Sequence, residues 1–337
     1  MRSFTCDVCG QLLFFDNSSC LQCGSALGFD PGTMGLRAFA IDGGSLVPAD
    51  GSDGLFKACA NQSVAKCNWV LPVDDAEGLC MSCRLTIVRP NDNETDAMAA
   101  FASAESAKRR LIFQLEELGL PVHGVEFEFL SSRGREVTTG HDEGVITLDL
   151  SESDDAHRAF VRLQLGEAYR TVLGHLRHEI GHYYWPTLVE GGDRLDEYRA
   201  LFGDERVAYQ EAQDRHYGDG PPADWTMTHV SEYATMHPWE DWAETFAHYL
   251  HIRSGLETAR SFGFVVQDPS ASAGRKAGLD TRHLTIGPLI EEWLATTIAM
   301  NAMARSIGQG DLYPFVLPPG VVEKLDFVHR LIAATPF

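Results

Sequence analysis

No stretch of the 337 residues approaches the roughly 20 consecutive apolar side chains that a membrane-crossing helix needs, so no integral membrane association is expected. The opening residues, Met1-Arg2-Ser3-Phe4-Thr5, run into Cys6 without an apolar core or a cleavage site, and no secretory leader is expected either. Basic residues are scarce, 27 Lys and Arg against 48 Asp and Glu, and the formal charge of −21 disfavours a general electrostatic grip on nucleic acid or anionic lipid. Cysteine is sparse too. Eight residues in what the sequence suggests is a reducing cytoplasm are better metal ligands or free thiols than disulfides. Hydrophobic content is not lacking: 44% in a chain of this length is enough for a sizeable core and two or three domains.

One stretch stands out. Gly174-His175-Leu176-Arg177-His178-Glu179-Ile180-Gly181-His182-Tyr183-Tyr184-Trp185 contains His-Glu-x-x-His. On an α-helix, residues four apart project from one face, so His178 and His182 can share one metal ion while Glu179 stands on the flank. Zinc lowers the pKa of a bound water to roughly 7, and Glu179 is placed to take that proton as the water attacks a carbonyl. The helix itself is predicted from Tyr169, Val172, Leu173, Leu176, Ile180 and Tyr184 recurring at three- and four-residue steps from Glu167, with Pro186 closing the run. A di-iron carboxylate bundle would also use Glu179-x-x-His182, but it requires a second such pair. The nearest candidate, Glu244 to His248, is spaced one residue too long.

The cysteines form two sets. Cys6-x-x-Cys9 and Cys20-x-x-Cys23 are hooks separated by ten residues, each followed by glycine, with Gln11 to Phe15 as the first strand of an intervening hairpin. That is the spacing of a zinc ribbon. Cys59, Cys67, Cys80 and Cys83 supply one further hook and two single ligands, enough for a second closed tetrahedral site. The turn-rich segments from Asp30 to Gly54 suit a small module held together by metal. After the last cysteine the composition shifts to a polar linker, Val88-Arg89-Pro90-Asn91-Asp92-Asn93, and we place a domain boundary there. The expected division is 1–90, a zinc-ribbon region with two four-cysteine zinc sites, and 95–337, a catalytic domain.

Beyond the linker a helix capped by Asn93 or Thr95 is predicted to reach Leu118, followed by half-buried strands at 125–130 and 144–150. A strand just before a metal-binding helix can serve as an edge on which a peptide lies by strand addition. Residues 187–222 read as an irregular charged insertion without a motif. In 238–251 Glu240, Asp241, Glu244, His248 and His251 share one helical face, and Trp242, Phe246, Tyr249 and Leu250 fill much of the other. Two histidines give only half of a tetrahedral site, so this segment is where a third ligand is sought. Helices are predicted at about 288–307 and 321–333, with Trp293, Leu294, Ile298 and Met300 packing inward.

Taken together, HEIGHYYW, YATMHPWEDWAETFAHYLHI, CDVCGQLLFFDNSSCLQCGSALGFD, CANQSVAKCNW and NAMARSIGQGDLYPF resemble the gluzincin-type zinc-binding metallopeptidases that carry an N-terminal zinc ribbon. The resemblance covers most of the chain. It implies an α+β protein, a small β-rich ribbon module followed by a mainly helical zincin-like domain with a small sheet. It also implies Glu244, in Trp-Ala-Glu, as third zinc ligand, with Asp241 as the rival and Glu240 open to a supporting hydrogen bond. Tyr233 falls where similar enzymes put an oxyanion-stabilising phenol, and His237 is the alternative. His175, His248 and His251 are read as supporting or packing residues. The expectation is a zinc hydrolase acting on protein or peptide, with one catalytic and up to two structural zinc ions. A contrasting reading is a ribbon adaptor whose zincin-like domain binds without cutting. For either, six Lys and Arg against nine Asp and Glu in residues 1–90 point the ribbon toward a protein partner rather than nucleic acid.

Overall fold

The computed structural model describes residues 2–132, 137–154, 158, 171–264, 266 and 285–334. The chain opens with a two-stranded antiparallel hairpin, Phe4–Thr5 (β1) and Leu12–Leu13 (β2). Its Cys-x-x-Cys turn and the next one close through Gly10 and Gly24, whose N–H groups donate to the carbonyls of Cys6 and Cys20 at 2.8 and 2.9 Å. Both glycines have a left-handed backbone, φ 73° and 76°, where a side chain would be strained.

Between the two cysteine sets lies more regular structure than the turn residues suggest. Ala26–Asp30 (β3), Gly35–Asp42 (β4), Ser45–Pro48 (β5), Phe56–Ala58 (β6) and Val70–Pro72 (β7) make a five-stranded antiparallel sheet in chain order. Met81–Arg84 (α1) is the turn of helix that carries Cys83, with Cys80 as its N-cap. The strand after it, Thr86–Val88 (β8), lies ahead of the polar linker yet belongs to the second sheet.

That second sheet has the order β10-β11-β9-β8, where β9 is Glu126–Leu130, β10 Gly140–Asp142 and β11 Val145–Asp149. Strands β8, β9 and β11 are parallel, while β10 runs antiparallel to β11 along an outer edge. The helix α2, Thr95–Glu117, connects the two parts of the molecule. Its Phe113 ring enters the aromatic cluster of the N-terminal module, 5.0 Å from Phe15 and 5.5 Å from Phe29, which in turn sits 4.7 Å from Trp69. Ribbon and helices therefore share one continuous core.

The rest is helical: α3 (Val172–Trp185), α4 (Leu195–Phe202), α5 (Tyr209–Asp219), α6 (Pro238–Ser261), α7 (Ile286–Ser306) and α8 (Pro319–Ala334). Helix α3 begins at Thr171, whose hydroxyl accepts from the Gly174 N–H at 3.0 Å; the portion of the run expected from Glu167 to Arg170 lies outside the described residues. At Pro186 the chain leaves the α-helix through a single π-turn, Pro186–Glu190. The segment expected to be irregular holds α4 and α5. Helix α4 is amphipathic, burying Tyr198 and Phe202, which stack 4.9 Å apart and reach Trp242 and Phe327. In α7 the inward packing falls to Trp293, while Leu294 and Ile298, expected inside, are exposed.

Helix α6 is the hub, with residues buried on every side. It is tied to α2 and α3 by Gln114, whose carbonyl accepts from Arg177 at 2.9 and 3.2 Å while its amide donates to the Leu250 carbonyl at 2.5 Å. No helix among the described residues is long and apolar enough to cross a membrane. Because Phe113 is fully buried between the two parts, Phe113→Ala should cost about 3–5 kcal/mol. Denaturant unfolding, followed by near-ultraviolet circular dichroism, should show the midpoint falling accordingly; a variant as stable as the parent would contradict the shared core.

Candidate metal centre

The His178-Glu179-x-x-His182 segment is brought to its partners by a close helix crossing. A side chain at Gly181 would meet the Ala243 Cα at 3.1 Å and the Phe246 Cβ at 3.2 Å, so glycine is what lets α6 lie directly against α3. The crossing is locked by the Trp242 indole N–H, which donates to the Gly181 carbonyl at 2.8 Å. Both helices then face their polar residues toward one point.

At that point the Nε2 atoms of His178 and His182 are 3.2 Å apart. Glu240 reaches both, its Oε2 at 2.9 Å from His178 Nε2 and its Oε1 at 3.6 Å from His182 Nε2. The edge of a tetrahedron built on zinc bonds of about 2.0–2.1 Å is about 3.3 Å, so the spacing of this donor set fits one zinc ion. Electrostatics agree. Burial works against a charged His178, but the carboxylates of Glu240 and Glu244 outweigh it and raise its pKa well above the ordinary value. Burial likewise penalises a charged Glu240, but its hydrogen bonds with His178 and His182 prevail and hold it well below the usual carboxylate range. The two acids thus favour positive charge on or beside His178.

Glu244, expected as the third ligand, lies on the other side of the ring. Its Oε1 accepts from His178 Nδ1 at 2.7 Å, and its Oε2 accepts from the Ser231 hydroxyl at 2.6 Å. Glu240 thus faces Nε2 of His178 and Glu244 faces Nδ1. Glu240 and Glu244 are four residues apart on one face, and only their height along α6 decides which faces Nε2 and which Nδ1. Asp241, the rival, points away to Lys324 on α8, at 2.5 Å.

Glu179 is buried beside the trio, and burial raises its carboxyl above the usual range against the pull of the two histidines. The Tyr233 ring is 5.9 Å from the His178 ring, and desolvation holds its phenol firmly protonated. His237 does not face the centre. It caps α6, its Nδ1 accepting from the Trp239 N–H at 3.1 Å and its Nε2 donating to the Val207 carbonyl at 3.0 Å, which leaves no ring nitrogen for an oxyanion. His175 faces Glu152, His248 bonds the Tyr313 hydroxyl at 2.8 Å, and His251 packs on Trp293. Three residues escaped the sequence reading: Ser231; Tyr209, whose hydroxyl donates to Glu240 Oε1 at 3.0 Å; and His141 on the edge strand β10, stacked 6.5 Å from His182. None lies in a recognisable spacing.

The cysteines gather as expected into two groups, Cys6, Cys9, Cys20 and Cys23, and Cys59, Cys67, Cys80 and Cys83. Sulfur pairs stand 3.6 Å apart in the first and 3.7 Å in the second, far beyond a disulfide and close to the edge of about 3.8 Å for tetrahedral zinc thiolate. In the second group the thiols of Cys80 and Cys83 are pushed up by hydrogen bonding to Cys59 and Cys67 and by burial, a demand that a central cation would relieve. Arg109 of α2 braces the Cys67 loop by donating to the carbonyls of Ala65 and Lys66 at 3.1 and 3.3 Å.

Residues 97–331 match a family described as "Putative zinc-binding metallo-peptidase", and residues 3–94 match a zinc-ribbon domain. Proteins from Mycobacterium tuberculosis and Mycobacterium bovis, their names reading only "uncharacterized protein", are 50% identical to this one over 341 aligned residues, spanning 98% of this chain and 95% of theirs. No solved structure was found to match. With a family match across most of its length and the paired histidines of α3 set against a carboxylate of α6, the chain belongs to the zinc-binding metallo-peptidase family, in the form that has an N-terminal zinc ribbon.

Proposed function

We propose that this chain is a gluzincin-type zinc hydrolase cutting peptide bonds, with the catalytic metal held by His178, His182 and Glu240. The observation that carries the reading is the convergence of those three donors, with ligand atoms all within 4.8 Å of one another. Zinc bound there would supply Lewis-acid polarisation of the substrate carbonyl and an acidified water. Glu244 and Ser231 fix the orientation of the His178 ring, as a carboxylate on the second nitrogen of a ligand histidine does. Glu179 takes the proton of the attacking water and returns it to the departing amine. Tyr233 donates to the oxygen on which charge develops. The antiparallel strand β10, with His141 beside His182, is an edge of its sheet among the described residues, along which an extended peptide can pair. The two cysteine clusters act as closed structural zinc sites, and the setting is cytoplasmic.

Glu179→Gln should retain its metal while turnover of a chelator-sensitive peptide substrate falls roughly 10²–10⁴-fold. Peptide-library digestion read by mass spectrometry would check this, and near-parental cleavage would exclude Glu179 as the proton carrier. The two acids of α6 should also separate. Elemental analysis should give three zinc ions per chain, one for each ligand cluster, and one fewer after Glu240→Gln. Glu244→Gln should keep the full complement and bind the labile ion about 10–100-fold more weakly. The opposite pattern would restore Glu244 as the ligand.

A further inference from the structure

The two carboxylates that α6 offers to His178 are each steadied by a hydroxyl. Ser231 does this for Glu244, and Tyr209 does it for Glu240. We infer that Tyr209 is a positioning residue of the metal centre, its phenol holding one oxygen of Glu240 so that the other is presented to the metal. This inference rests on the reading of His178, His182 and Glu240 as the metal-binding trio.

A carboxylate turns easily about its last torsion, which is broad and roughly two-fold. Glu240 uses its oxygens unequally: Oε2 lies 2.9 Å from His178 Nε2, whereas Oε1 lies 3.0 Å from the Tyr209 hydroxyl and 3.6 Å from His182 Nε2. A donor on Oε1 sets the plane of the carboxylate and competes with any cation for that oxygen. Tyr209 is itself held by His237, whose ring lies 5.3 Å away. Through its two nitrogens His237 joins Val207, two residues before Tyr209, to Trp239, the residue before Glu240. His237, the alternative to Tyr233 for the oxyanion role, thus joins the start of α5 to the start of α6. It fixes the distance from the phenol to the carboxylate.

Tyr209 is 40% exposed, so removing its hydroxyl leaves the packing on His237 in place and should not disturb the fold. The test is zinc affinity, measured on the full chain by competition with a chromogenic chelator. His178→Ala identifies the ion concerned, as the one whose loss leaves only zinc in the cysteine clusters. Tyr209→Phe should bind that ion about 10–100-fold more weakly, with cysteine-bound zinc unchanged and the melting temperature unchanged in a His178→Ala background. Parental affinity in Tyr209→Phe would overturn the inference while leaving the metal centre intact. Weaker binding accompanied by a lower melting temperature in that background would also overturn it, by assigning the effect to folding. If His178→Ala released no zinc, the metal centre itself would fail and this inference with it.

Discussion

The contact of α3 with α6 at Gly181 is the constraint from which the site follows. Because that position lacks a side chain, the backbones come close enough for the Trp242 indole to bond the Gly181 carbonyl. The same closeness brings a carboxylate of α6 to both nitrogens of the His178 ring. A bulkier residue would separate the helices by a few tenths of an ångström at least, and the donor spacing near 3 Å would open with it. The motif supplies two imidazoles, and the packing of the glycine between them supplies the third group.

Burial makes that arrangement electrostatically demanding. Glu240 is 3% exposed, and an unpaired carboxylate there would be costly. Each acid is satisfied by an imidazole on one side and a hydroxyl on the other. The neighbouring Asp241 solves the same problem differently, by turning to Lys324 of α8, and so anchors α6 from behind. Three acids within five residues of one helix thus meet different partners, and their chemistry alone does not separate them.

That is why the sequence disclosed some parts of the centre and not others. The His178-Glu179-x-x-His182 pair and the cysteine hooks were legible because their geometry is local: spacing along one helix or one turn fixes which atoms meet. Which of Glu240, Asp241 and Glu244 meets the His178 ring, and at which nitrogen, was not, since all three were read on one face and the deciding quantity is the height at which α6 docks. Tyr209 and Ser231 come from segments whose position depends on the completed fold. Helix α4 is a different case. Leu195, Tyr198 and Phe202 follow a helical period that the surrounding charge concealed. The five-stranded sheet was likewise obscured by its glycine-rich turns.

The seating of Phe113 among Phe15, Phe29 and Trp69 has a consequence for how the ribbon can work. A recruiting module on a slack tether searches space and delivers its cargo at a range of angles. Here the cysteine module is rooted in the body that carries the candidate metal centre, and Arg109 grips it a second time. Anything captured on the ribbon would be held at one fixed bearing from His178 and His182, so such a surface would act as a ruler, selecting cargo by the distance between its anchor point and the bond presented.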